Sequence, residues 1–414
     1  MSDPAAHVVI LGAGHAGGTA AALLRQYGFE GPITLVGEEP IPPYQRPPLS
    51  KAWLKGEADA DSLALKPLEF YPEHNIDFRA STRATAINRG AKAVTLSDGS
   101  EVSYDVLIIA TGARAIALPI PGSDLAGVMF LRTAADAELL KATVGPGKRL
   151  AVVGGGYIGL EVAASGRALG ADVVVLERES RLLARVACET LSTFFKAYHE
   201  DHDVAFELGC SVTAFEGKDG PGQGGHVTGV TLADGRSVAC DAVVVGVGAT
   251  PNDELAREAG LDTARGIVVD LETRTSDPAI FAIGDVAHRP MPIYDRMFRM
   301  ESVPNALEQA KQVAAAITGR PAPAGEAPWQ WSDQYDLKLQ IAGYAFDVDE
   351  ILVRGDPATS KFAVFHLKGD LVQSVEAINS PPEFMMGKQL ILGRKPISKQ
   401  KLADPSVSMK EVAA

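Results

Sequence analysis

The sequence predicts an α/β chain in which two domains share one nucleotide-binding layout and a smaller α+β domain follows them. Three observations carry this. A strand, glycine-rich turn, alanine-rich helix and second strand occur near His7 as VVILGAGHAGGTAAALLRQYGFEGPITLVGEE, and again near Arg149 as LAVVGGGYIGLEVAASGRALGADVVVLER. Each copy is followed by a strand and turn of one type, VLIIATGA at 106–113 and AVVVGVGATPN at 242–252. A Pro/Gly/Ala-rich linker at 320–328 then precedes runs that alternate apolar and polar residues.

Each element has its reason. Unbroken Val/Ile/Leu runs such as VVIL and VVVL suit strands covered on both faces, which belong to parallel sheets. A period-2 stretch at 93–102 returns in the second copy at 227–238 and reads as strand. The glycine-rich stretch 217–225 reads as a hairpin loop without a function. IFAIGDVA at 280–287 and a helix around 306–317 complete the second half of the first domain. Beyond the linker, LKLQIAGYA, KFAVFHL and LVQSVEAI read as antiparallel strands and 381–392 as a short helix.

At 414 residues, with 46% hydrophobic and 22% charged residues, the chain exceeds one domain and has room to bury a large cofactor. A net charge of −13 argues against a nucleic-acid partner, which needs a broad basic surface, while leaving room for a local basic patch. The three cysteines, Cys188, Cys210 and Cys240, stand 22 and 30 residues apart and match no disulfide, CxxC or zinc spacing, so buried reduced thiols are expected. No run of about 18 apolar residues predicts a membrane helix, and the N-terminal apolar run lacks a basic flank, so a cytoplasmic protein is expected.

The glycines carry the first chemistry. Gly12, Gly14 and Gly17 form a GxGxxG between a strand and a helix, and Glu38 lies 26 residues after Gly12. This arrangement suits a dinucleotide, with the pyrophosphate at the helix N-terminus and Glu38 (or Glu39 beside it) on the adenosine ribose. Gly154, Gly156 and Gly159 repeat it, and Glu177 follows 23 residues after Gly154. An acid at that strand end accepts a free 2′-hydroxyl and repels a 2′-phosphate, which favours NADH over NADPH. Arg178 and Arg181 read either as solvated charges or as groups that soften this preference.

Two such units joined by ATG-type turns, followed by IFAIGD and a separate C-terminal domain, resemble the glutathione-reductase-like flavoproteins with two Rossmann-like dinucleotide-binding domains. PYQRPPLSK at 43–51 and PWQWSDQYDLKLQIAG at 328–343 narrow this to a resemblance to the NADH-dependent ferredoxin reductases of oxygenase systems, of the putidaredoxin reductase and biphenyl dioxygenase reductase type. Gln330 departs from the aromatic or apolar residue expected there. The resemblance implies an FAD-binding domain at 1–115 and 247–325, an NADH-binding domain inserted at 116–246, and a C-terminal α+β domain at 326–414. It assigns FAD to Gly12, Gly14, Gly17, Glu38, Arg46, Pro48, Lys51, Thr111, Gly112, Asp285, Val303 and Trp331. NADH is assigned to Gly154, Gly156, Gly159, Glu177 and Gly248. Lys51 would stand beside flavin N5 in an ion pair with Glu161, and Trp331 would lie close to the flavin.

Relatives that reduce disulfides or peroxides carry redox cysteines just after the first βαβ unit, whereas residues 41–51 contain none. Electrons must then leave directly from the flavin, to a 2Fe–2S ferredoxin that serves a P450 or Rieske oxygenase. Two other readings stay open: a flavin reductase with a small-molecule acceptor, and an apoptosis-inducing-factor-like protein with a binding role. Lys388, Arg394, Lys395, Lys399 and Lys401 lie in a segment without acids and are the expected docking patch for an acidic ferredoxin, with Arg296 and Arg299 as further candidates.

Overall fold

A computed structural model describes residues 6–218 and 225–413. Six residues of the glycine-rich stretch, 219–224, lie outside the described residues. The chain forms two compact units, one of Met1–Gln45, Ala60–Arg114 and Pro251–Gln330, the other of Arg46–Asp59, Ala115–Thr250 and Trp331–Ala414.

The first unit is built on a five-stranded parallel sheet in the order Ile280–Ala282, Val106–Ile109, Val8–Leu11, Ile33–Val36, Ile76–Arg79. The unbroken apolar strand has a direct explanation here. Val8 and Ile10 enter one core with Leu24 of helix His15–Gln26 and Val313 of helix Val303–Thr318, while Val9 and Leu11 enter another with Val94 and Val102. Successive side chains point to opposite faces, so a sheet covered on both faces wants an apolar residue at every position. The second covering layer includes the antiparallel strands Ala84–Asn88, Ala93–Leu96 and Glu101–Ser103.

The second unit repeats the parallel sheet as Val204–Leu208, Asp172–Glu177, Arg149–Val153, Ala242–Val245, Val128–Met129. It also holds an antiparallel sheet in the order Trp329–Gln334, Leu337–Gly343, Leu371–Ile378, Lys361–Lys368, Glu350–Asp356, and the chain enters this unit within the first of these strands. Leu160, Val175 and Phe195 of the parallel part share one buried cluster with Leu339, Phe362 and Ile378 of the antiparallel part. Helix Pro381–Gly393 packs on the strands Leu371–Ile378 and Leu337–Gly343. The tail beyond it is held by Arg354, which is 4% exposed and donates to the carbonyls of Leu402 (3.1 Å), Asp404 (2.6 Å) and Val407 (2.6 Å) and to Glu383 Oε1 (3.1 Å).

The cysteines Cys188, Cys210 and Cys240 are free and buried. Burial, aided by the carboxylate of Glu376, pushes the Cys188 thiol up to about 12. Among the described residues no helix is long and apolar enough to cross a membrane.

Candidate functional site

In the first unit, strand Val8–Leu11 runs into Gly12, whose φ of +108° lies in the left-handed region. A Cβ at Gly12 would stand 2.2 Å from the carbonyl oxygen of Ala110, and one at Gly17 would stand 1.9 Å from the carbonyl oxygen of Gly12. Those two glycines are required by packing. Gly14 differs, because a Cβ there would meet nothing within 4 Å. It precedes helix His15–Gln26, whose start has no side-chain cap and no acid in its first turn. Uncapped backbone N–H groups at the positive end of a helix, reached over a residue without a side chain, fit a pyrophosphate. The cradle therefore fits the dinucleotide that the sequence assigns to it.

Other expected residues of this unit gather around that helix. A Cβ at Gly284, φ +77°, would lie 2.9 Å from Cβ of Ala16, so the turn Gly284–Val286 that carries Asp285 sits against the first helical turn. Gln309 fixes it by accepting from Gly284 N at 2.6 Å and donating to Asn305 Oδ1 at 2.9 Å. Val303 opens its helix behind the Ser302 cap, which accepts from Asn305 N at 3.2 Å. Thr111 Oγ1 donates to the carbonyl of Asn252 at 2.8 Å, and Asn252 N donates to the carbonyl of Gly112 at 2.9 Å. Glu38 is exposed beyond strand Ile33–Val36, whereas Glu39 accepts from the Tyr44 hydroxyl at 2.7 Å.

The second loop obeys the same sterics. A Cβ at Gly154, φ +111°, would stand 2.5 Å from the Gly246 carbonyl oxygen, one at Gly159 2.1 Å from the Gly154 carbonyl oxygen, and one at Gly156 in open space. Helix Tyr157–Ala168 starts there without a side-chain cap or a first-turn acid. Glu177 is turned onto the loop, accepting from Gly155 N at 2.6 Å and from Glu179 N at 2.8 Å. Arg178 pairs with Glu179 at the surface, but Arg181 is not a solvated charge: it donates to the carbonyls of Ala187 and Ala184 and to Ser192 Oγ. Gly248, φ +128°, accepts from Ile116 N at 3.0 Å.

The same unit gathers Lys51, Glu161 and a set of polar partners. Glu161 is buried on helix Tyr157–Ala168, and its Oε2 lies 2.7 Å from Lys51 Nζ. Ser50 Oγ donates to the same oxygen, and Ser332 Oγ donates to Oε1 at 2.7 Å. Gln334 Nε2 donates to Ser332 Oγ at 3.1 Å, and Gln334 Oε1 lies 2.8 Å from His199 Nε2. Burial lowers the His199 imidazole to about 4. A buried carboxylate is tolerable when a cation and hydrogen bonds surround it, and here both oxygens are engaged. Ser165 Oγ donates to the Ser50 carbonyl at 2.6 Å, so the glutamate's helix also holds the turn that delivers Lys51. Within that turn the Pro48 carbonyl accepts from Lys51 N at 2.9 Å, and Arg46 donates to the Arg132 carbonyl. Trp331 is half-buried, next to Ser332 in strand Trp329–Gln334.

Ser50, Ser332, Gln334, His199, Gln309 and Asn252 were not singled out from sequence. The strand signal for two of them was present, since Ser332 and Gln334 share the inward face of a period-2 strand, where buried polar residues need partners. In the expected docking segment, Lys399 pairs with Glu350 at 2.7 Å and Lys401 Nζ donates to the Glu411 carbonyl at 3.1 Å, while Arg394 and Lys395 stand exposed. Lys388 is half-buried on its helix, and Arg299 pairs with Glu301.

Two glycine cradles of this kind in one chain define an oxidoreductase of the two-dinucleotide class. Residues 6–310 match the family described as pyridine nucleotide-disulphide oxidoreductase, and residues 329–413 match the one described as reductase C-terminal. The chain belongs to the pyridine nucleotide-disulphide oxidoreductase family. It is 54% identical to a probable ferredoxin reductase of Castellaniella defragrans, over 98% of each chain. It is 42% identical to the putidaredoxin reductase of Pseudomonas putida, over 99% of this chain and 97% of the other. The solved covalent complex of putidaredoxin reductase with putidaredoxin superposes with a TM-score of 0.95 at 43% identity, covering 98% of this chain and 97% of that one.

Proposed function

We infer that this chain is an FAD-containing, NADH-dependent ferredoxin reductase that supplies electrons to an oxygenase through a 2Fe–2S ferredoxin. The full-length similarity to ferredoxin reductases, joined to the absence of cysteine from residues 41–51, carries this reading. When bound, the flavin supplies the conversion of one hydride into two single-electron steps.

The chain's own residues do the rest. The N–H groups around Gly14 bind one pyrophosphate and those around Gly156 the other. Glu177, turned inward by Gly155 N–H, presents its carboxylate to a ribose 2′-hydroxyl and disfavours a 2′-phosphate. Lys51 is the proposed cation for the negative charge that arrives with the hydride, and Glu161, with both oxygens satisfied, holds that ammonium in one position. Trp331 is proposed to exclude water beside the cofactor. The division into an FAD domain at 1–115 and 247–325, an inserted NADH domain at 116–246 and a C-terminal domain at 326–414 belongs to the same proposal. So does a cytoplasmic location, since the enzyme works where NADH is supplied.

The test is NADH-driven reduction of cytochrome c with and without a candidate ferredoxin, repeated with NADPH. A rate that rises with ferredoxin and a kcat/KM that favours NADH are expected. Equal rates without ferredoxin would leave a small-molecule flavin reductase as the better reading.

A further inference from the structure

Away from the glycine loops, the second unit buries a cysteine, a histidine and a glutamate against one another. Cys188 precedes helix Glu189–Glu200, His366 lies on strand Lys361–Lys368, and Glu376 lies on strand Leu371–Ile378. Their exposures are 8%, 4% and 3%. His366 pairs with Ser374 and Glu376 with Val364 in the antiparallel register, so histidine and glutamate are diagonal neighbours on one face of the sheet. His366 Nε2 lies 3.0 Å from Glu376 Oε2. The three donor atoms, one sulfur, one nitrogen and one oxygen, all fall within 4.8 Å of one another.

The Lys51 network does not use this cluster, and packing alone does not explain it. A carboxyl at 3% exposure needs donors, a proton or a cation around it; Glu161 has Lys51, whereas Glu376 has the Cys188 thiol and the His366 imidazole. Among the described residues, the ion-pair partner of Glu376 is the imidazole of His366, which supplies a charge only when protonated. A thiolate, an imidazole and a carboxylate together are the donors that zinc takes in tetrahedral sites. Bond lengths of about 2.3 Å to sulfur and about 2.0–2.1 Å to nitrogen or oxygen place tetrahedral donors about 3.3–3.6 Å apart. The cluster's donors, all within 4.8 Å of one another, would draw together by up to about 1.5 Å to meet that spacing. Its donors are also carried on two paired strands and the start of a helix, which fixes their directions.

We propose that Cys188, His366 and Glu376 form a binding site for a divalent cation of the zinc type. The cation takes the thiolate sulfur, an imidazole nitrogen and a carboxylate oxygen, and leaves the fourth position to water. Binding releases the thiol proton to solvent and involves no change of oxidation state, so affinity rises with pH. The bound cation would tie helix Glu189–Glu200 to the antiparallel sheet inside the second unit.

The experiment uses the flavin-loaded full chain, stripped with a chelator, reloaded with a slight excess of zinc and freed of unbound metal by gel filtration, with zinc per chain read by elemental analysis. One zinc per chain is expected. Affinity should fall roughly tenfold or more in Cys188→Ser and in His366→Gln, and stay at the wild-type value in Cys210→Ser. Zinc-edge X-ray absorption of the wild type, which needs no variant to fold, should show one sulfur neighbour at about 2.3 Å. A zinc-loaded chain without a sulfur neighbour, retention of zinc unchanged by both ligand substitutions, or no zinc retained by the reloaded chain would each overturn the proposal.

Discussion

At the fifth residue of the helix that follows each glycine loop, the first copy has Thr19 and the second has Glu161. The loops themselves are near superposable in their logic, with the first and third glycines forced by backbone contact and the middle one open. They part in what they do with acid. The first loop leaves Glu38 exposed, while the second turns Glu177 onto Gly155 N–H and buries Glu161 under Lys51, Ser50 and Ser332. A shared cradle fixes only where phosphates go, and on the proposed assignment the acids added around it would distinguish a site that holds a cofactor from one that exchanges a coenzyme.

The strongest way to break this comparison is to fill the open glycine in each loop. Gly14→Val should leave the fold intact and cut retained flavin to below roughly a tenth, because the new side chain occupies the pyrophosphate approach. Gly156→Val should keep the yellow colour and raise KM for NADH. Visible absorbance after gel filtration reads flavin retention in both and initial rates at varied NADH read KM; loss of flavin from Gly156→Val alone would reverse the two assignments. Next in size, Lys51→Met should slow flavin reduction by NADH by roughly a hundredfold, on the scale of losing a placed charge. Stopped-flow absorbance is the measurement, and a wild-type rate would reduce Lys51 to a packing role.

Glu177→Ala sharpens the contrast in acids. It removes both a ribose acceptor and the partner of Gly155 N–H, so the NADH over NADPH ratio of kcat/KM should fall by roughly tenfold. An unchanged ratio would place the discrimination elsewhere. Ser332→Ala, which removes the donor to Glu161 Oε1 and the acceptor of Gln334 Nε2, should slow hydride transfer by roughly fivefold, with recovery in Ser332→Thr because the hydroxyl is restored. A rate loss that Thr fails to rescue would point to packing instead.

The smallest effect comes from His199 at the far end of the same network. Burial holds its folded-state pKa at about 4, below the ordinary histidine value of about 6.5, so between those values the unfolded chain binds the extra proton. Stability contributed by the neutral imidazole is complete above about 6.5 and is lost as pH falls toward about 4. His199→Gln should flatten the dependence of Tm on pH across that window, measured by calorimetry, and an unchanged slope would show that other groups set it.

What was legible in the sequence follows from how local each signal is. A glycine that packs on backbone 98 residues away, as Gly12 does on Ala110, is still announced by its own GxGxxG spacing. Glu177 is announced by the end of its strand. The partners of Glu161 have no such signature, because Ser50 and Ser332 are 282 residues apart in the chain and converge only through the fold. Arg181 shows the opposite failure. Its charge suggested solvent, but a turn rich in free carbonyls absorbed its guanidinium. The docking segment was legible as a charge run, yet the structure sorts its members, with Lys399 committed to Glu350 and Arg394 and Lys395 left exposed.

The Arg354 clamp sets the terms on which this chain can be joined to a redox partner by genetic fusion. A linker grafted after residue 407 leaves every one of its carbonyl acceptors in place. One grafted before Leu402 strips a 4%-exposed guanidinium of the carbonyls of Leu402, Asp404 and Val407 and leaves it Glu383, a loss of about 1.5–3 kcal/mol for each hydrogen bond on the scale of bonds to charged groups. Residues beyond 407 are anchored as well, since Val412 is buried and its carbonyl accepts from Ser398 N at 3.0 Å, so a fused ferredoxin would swing from a tether whose root is fixed to the antiparallel sheet.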